Sequence, residues 1–86
     1  MSEALWRAQL AAVERSLFLL RDLTATAEEM VQIARAPLRT PEEVHAAYIR
    51  YMRLTRHGGG VCHQLLACMD GIERRWEQVQ PADERS

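Results

Sequence analysis

The sequence predicts an all-α antiparallel helical hairpin, expected to pair into a dimeric four-helix bundle. Three observations predict it. Apolar residues recur at alternating four- and three-residue steps along most of the chain. A single stretch, Ala36-Pro37-Leu38-Arg39-Thr40-Pro41-Glu42-Glu43, demands a reversal between them. The apolar surface is also wider than one helical neighbour can cover.

The first helix is expected near residues 3–36. Ser2 is a candidate N-cap, with Glu3 in the first turn, where an acid suits the helix dipole. The seam Trp6, Leu10, Val13, Leu17, Leu20, Thr24, Ala27, Val31, Ala34 is a heptad pattern, expected to face the second helix. Arg7, Glu14, Arg21, Glu28 and Arg35, each seven apart, alternate in sign along one flank and fit a solvated edge. Leu5, Ala12, Leu19 and Ile33 form a second stripe, with Ala11 and Phe18 beside it. Leu23 and Met30 widen the main seam. The second stripe is expected to meet another protein or a second copy. Thr26-Ala27-Glu28-Glu29 has the form of a capping box, but the seam keeps its phase through it. An uninterrupted helix is therefore expected.

The reversal follows from two prolines. Pro37 lacks the N–H that a helix interior requires and pushes Ala36 out of the helical region. Thr40 is placed to cap the next helix. Pro41 occupies the first helical position, where the missing N–H costs nothing, and Glu43 completes a capping box. A connection this short joins antiparallel neighbours.

The second helix is expected near residues 41–79, with the seam Val44, Tyr48, Tyr51, Thr55, Gly58, Cys62, Leu65, Met69, Ile72, Trp76, Val79. Gly58-Gly59-Gly60 interrupts it chemically, since each glycine costs about 1 kcal/mol relative to alanine inside a helix. The heptad phase is unbroken across them, so a continuous or kinked helix is expected, with a three-helix break as the alternative. Folding the seams together places Ala34 against Val44 and Leu10 against Met69. It sets Gly58 level with Leu20, beside Phe18 and Leu19. Trp6 and Trp76 fall at the open end, to cap the core or anchor a partner.

Size and charge bound the function. The 86 residues make one small domain, expected at 1–80, with a polar, frayed tail at 81–86. The chain is 48% hydrophobic and 27% charged, with a formal charge of -1, which argues against a bulk electrostatic binder of nucleic acid or membranes. All eleven basic residues are Arg. No secretory signal or membrane-spanning run is read. Cys62 and Cys68 lie six apart, about 120° from facing each other on a helix, so no intrachain bridge is expected. A reduced, cytoplasmic, bacterial-type protein is expected.

Candidate chemistry is sparse. Cys62, His63 and Cys68, with His57 nearby, lack the three- or four-residue spacing of metal ligands on a helix, and core packing explains the cysteines. The glycines lack the Lys-Ser/Thr of a phosphate loop. No nucleophile–base pair is seen. No enzyme, metal, cofactor or small-molecule substrate is expected. Arg50, Arg53 and Arg56 form a basic band, with Arg50, Arg53 and His57 on one face and Tyr48 and Tyr51 close by. This supports an alternative reading as a nucleic-acid-associated accessory protein. Asp22, Glu28 and Glu29 lie level with the band and are expected to pair with it.

The preferred expectation is a small interaction protein, an adaptor, antiactivator or chaperone, contacting partners through Leu5, Ala12, Phe18, Leu19 and Ile33. Arg50, Arg53 and His57 would form the polar rim. In its size, its single hairpin and the Pro41-Glu42-Glu43 start of its second helix, the chain resembles the helical co-chaperones of type III secretion needle subunits. Its layout is also similar to that of small quorum-sensing antiactivators. The first resemblance implies a secreted needle-type subunit as partner, the second a transcription factor.

Overall fold

The computed structural model of the chain describes residues 3–79. Two helices, α1 (Glu3–Arg35) and α2 (Pro41–Val79), form an all-α antiparallel hairpin. The expected cap at Ser2 and the tail at 81–86 lie outside the described residues.

The reversal is built as its sequence implies, with one change. Thr40 Oγ1 accepts a hydrogen bond from the Glu43 N–H at 3.1 Å, capping α2. Glu43 does not complete the box on Thr40. Its Oε2 accepts from the Arg39 N–H at 2.8 Å, one residue further back, which ties the loop to the first turn of α2. α2 then runs unbroken through Gly58-Gly59-Gly60, and none of its glycines takes a positive φ. α1 is likewise continuous past Thr26, whose buried hydroxyl donates to the Asp22 carbonyl at 2.8 Å instead of opening a new helix.

The two helices meet along a different row of α1 from the one expected. Asp22 is half-buried at the margin of the contact; the other buried or half-buried positions are Leu5, Gln9, Ala12, Ser16, Leu19, Leu23, Thr26, Met30 and Ile33. Each precedes a member of the expected seam by one residue, a turn of about 100° around the helix. Trp6, Leu10, Val13, Leu17, Leu20 and Val31 are all exposed. Row and stripe have changed places, and the reason is bulk. Ala12, Ser16 and Thr26 are small, so this side of α1 can approach α2 closely. Opposite it stand Ala47, Gly58, Val61 and Cys68, also small, with Leu54, Leu65 and Ile72 between them.

Gly58 faces Leu23 and Thr26, not Leu20. A Cβ at this glycine would stand 3.6 Å from Thr26 Cγ2 and 3.7 Å from Leu23 Cδ1. Ala34, Val44, Leu10 and Met69, expected to pair across the hairpin seam, are all exposed and not part of its core.

The polar members of the buried row find partners. Gln9 Nε2 donates to the Ile72 carbonyl at 3.0 Å, and its Oε1 accepts from Arg75 Nε at 2.9 Å. The Cys68 thiol donates to the Ala12 carbonyl at 3.2 Å. The Ser16 hydroxyl is shared between that same carbonyl, at 3.0 Å, and the Cys68 sulphur, at 3.3 Å. No buried side-chain nitrogen or oxygen among the described residues lacks a partner. That matters because an orphaned polar group here would cost about 1–3 kcal/mol. Leu19, Val61 and Leu65 form the centre of the core, with Leu23 and Cys68 packed against it.

Candidate interaction surface

The two exposed apolar rows lie on one side of the hairpin. On α1, the outward row Trp6, Val13, Leu20, Ala27 follows the buried row Leu5, Ala12, Leu19, Thr26 by one residue. On α2, the outward row Tyr48, Thr55, Cys62, Met69, Trp76 follows the inward row Ala47, Leu54, Val61, Cys68, Arg75 by one residue. The sense of rotation is the same on each helix. Because the helices are antiparallel, equal rotations bring both rows to the same side of the pair.

The residues one step before the buried rows confirm which side is which, because they meet across the opposite surface. Arg15 Nη2 donates to Gln64 Oε1 at 3.1 Å. His57 Nε2 lies 3.0 Å from both carboxylate oxygens of Asp22. Glu29 shares a small cleft with Arg50, Arg53 and Leu54. The hairpin is therefore a two-faced layer, with a polar side laced by cross-helix contacts and an apolar side left open.

The apolar side carries Trp6, Leu10, Val13, Leu17, Leu20 and Val31 from α1, and Val44, Tyr48, Met69 and Trp76 from α2, each about half exposed or more. Cys62 is half-buried at its middle. Shallow grooves run along it, one lined by Thr24, Ala27 and Val31, and another by Leu66, Met69, Ile72 and Trp76. A third, by the turn, is lined by Leu38, Pro41, Val44 and Tyr48. The tryptophans do not cap the core: Trp6 is 51% and Trp76 49% exposed. Charged edges border the surface. On α1 the edge is the alternating series Arg7, Glu14, Arg21, Glu28, Arg35. On α2 it is Arg56, His63, Asp70, Glu77.

The residues expected to contact a partner are distributed differently. Leu19, at 3% exposure, and Ile33 are buried within the hairpin, and Leu5 and Ala12 are half-buried in the same row. They lie in the row that holds α1 to α2. Phe18 is exposed towards the polar side, where the Arg15 guanidinium sits 5.8 Å from its ring centroid, a cation–π arrangement. Arg50, Arg53 and His57 do share a surface, but it is the polar side: His57 pairs with Asp22 and the two arginines line a cleft with Glu29, whereas Glu28 lies on the opposite edge of α1 and no ion pair joins either arginine to an acid among the described residues. Arg56 shares a cleft with Arg53, Tyr48, Ile49 and Met52.

The true surface residues were visible in the sequence as the seam. Their outward direction was not, because apolar spacing marks a row without saying what covers it. Gln9, Ser16 and Thr26, all at the same phase as Leu19, were the available hint that a second row was the closer contact.

Among the described residues, no group of three His, Cys, Asp or Glu side chains is placed to hold a metal ion. None of the described helices is long and apolar enough to cross a membrane. Comparison of the chain with known protein families, curated proteins and solved structures finds no match to any of them.

Proposed function

We propose that this chain is a non-enzymatic protein–protein interaction module, an adaptor, antiactivator or chaperone that acts by occupying a protein surface. Its working surface is the apolar side of the hairpin, centred on Leu10, Leu17 and Leu20 of α1 and Met69 of α2. One observation carries the reading. The apolar seam of α1 is not used to hold the hairpin together and stands exposed along its length. Contiguous apolar surface of this extent marks a binding site, because water penalises each exposed side chain by about 1.5–3 kcal/mol relative to full burial. The polar side has the opposite character, bridged across the helices by Arg15 with Gln64 and by His57 with Asp22.

The test compares the two sides. Leu10→Glu with Leu17→Glu places two charges on the apolar side without touching the buried row. It is expected to abolish association in sedimentation or light scattering while retaining helical circular dichroism. Arg50→Glu with Arg53→Glu, on the polar side, is expected to leave association intact. The reverse pattern would overturn the reading and favour the nucleic-acid alternative, whose signature is binding that weakens steeply with salt.

A further inference from the structure

We infer that the apolar side is covered by a second copy of this chain, docked face to face about a two-fold axis perpendicular to the helices. The axis crosses α1 between Leu17 and Phe18 and α2 at His63. The product is an antiparallel four-helix bundle in which α1 packs on α1 and α2 on α2. The inference rests on the reading of this side as the working surface, and adds its occupant and geometry.

Area is the first argument. A compact chain of 9.9 kDa exposes about 5,200 Å². The hairpin exposes 6840 Å². Its radius of gyration is 19.5 Å, against about 12 Å for a compact chain of this length. The excess, on the order of 1,600 Å² per chain, exceeds the roughly 800 Å² per partner of a standard interface. A dimer joined along the whole side reaches the size class of obligate assemblies.

Charge identifies the occupant. The α1 edge alternates in sign every seven residues: Arg7, Glu14, Arg21, Glu28. Antiparallel pairing about the level of Leu17–Phe18 sets Glu14 opposite Arg21 of the partner subunit, and Arg7 opposite Glu28 of the partner subunit. Parallel pairing in register would set like against like. The α2 edge changes sign once, from Arg56 to Asp70 and Glu77. Antiparallel pairing about His63 sets Arg56 opposite Asp70 of the partner subunit.

The two levels, obtained from separate helices, coincide within the hairpin. Arg15 bonds Gln64, and Leu19 packs with Val61, so Leu17–Phe18 stands level with residues 61–63. One axis therefore makes both edges self-complementary. An unrelated partner would need no such symmetry. Arg7 and Asp70 each also hold a partner one turn away on their own helix, Glu3 and Arg74. The central pairs of Glu14 with Arg21 accordingly carry the test.

The experiment is a dilution series by sedimentation equilibrium on the full chain under reducing conditions. The unmodified chain is expected to be dimeric. Glu14→Arg alone, and Arg21→Glu alone, each turn two symmetry-related attractions into repulsions and should raise the dissociation constant about tenfold. The double variant should restore it, and so should an equimolar mixture of the two single variants. Both sites are exposed, so circular dichroism of each variant should match the parent.

Cys62, one residue from the axis, should crosslink its counterpart through a short bismaleimide in a Cys68→Ser background. A dimer lacking that crosslink, or showing no rescue on mixing, overturns the proposed geometry. A well-folded monomer at every concentration overturns self-pairing but leaves the interaction surface for another protein. A dimer that survives Leu10→Glu with Leu17→Glu overturns the choice of surface itself.

Discussion

The buried and the outward rows of α1 differ in what they are made of. The outward row is almost uniformly apolar, with Thr24 its one polar member: Trp6, Leu10, Val13, Leu17, Leu20, Ala27, Val31 and Ala34, bulkiest over residues 6–20. The buried row mixes Leu5, Leu19, Leu23, Met30 and Ile33 with Gln9, Ala12, Ser16 and Thr26. A two-helix contact is narrow, and its closeness depends on small side chains. Bulky rows need a second layer to interlock with. The more hydrophobic row is thus the one left over once two helices have met.

The comparison breaks first at Leu19. This side chain is 3% exposed at the centre of the core, so Leu19→Ala should cost about 2–4 kcal/mol in urea unfolding. That loss should not depend on protein concentration, because the contact is within the chain. Leu17→Ala, two residues away on the outward row, should cost less. Its effect should vary with concentration, since binding contributes to apparent stability by mass action. Equal and concentration-independent losses at both sites would erase the distinction between the rows.

The glycines sharpen it next. Gly58→Leu places a large side chain against Thr26 and Leu23 and should cost about 1–3 kcal/mol by overpacking. Gly60→Ala meets nothing within 4 Å and should stabilise α2 by about 1 kcal/mol, read as a raised thermal midpoint. Gly59 is equally open within the hairpin, but it borders the apolar side, in the same helical column as Met52 and Leu66. If Gly59→Ala gains clearly less than Gly60→Ala, the apolar side is covered in solution.

The fold itself was legible. Pro37, Thr40, Pro41 and Glu43 act locally, through backbone geometry and capping, and local signals survive without knowledge of the rest of the molecule. The continuity of α2 through its glycines was legible for a related reason: the apolar phase on either side agreed. The orientation of α1 was not. It depends on which of two rows, 100° apart, closes more tightly on α2. That is set by the small residues Ala12 and Ser16 meeting Cys68, and by Thr26 meeting Gly58, which are pairings between distant parts of the chain. Counting apolar residues favours Leu17 over Ser16, whereas close approach favours Ser16. The polar contact of Asp22 with His57 was legible in outline, as acids level with a basic band, but not the individual partner.

The smallest effect is expected on the polar side. The Asp22–His57 contact is short, at 3.0 Å, yet both side chains are substantially exposed. Exposed pairs contribute about 0.2–1 kcal/mol, and salt screens them. Asp22→Ala should therefore shift the urea midpoint only slightly, with the difference from the parent shrinking as salt is raised. Association should be unchanged, because Asp22 and the outward seam face different sides of the same helix. If a change this small in stability nevertheless dissociated the assembly, the polar side would have to be part of the interface. The two-faced division of the hairpin would then fail at the side where the contacts within the chain are best defined.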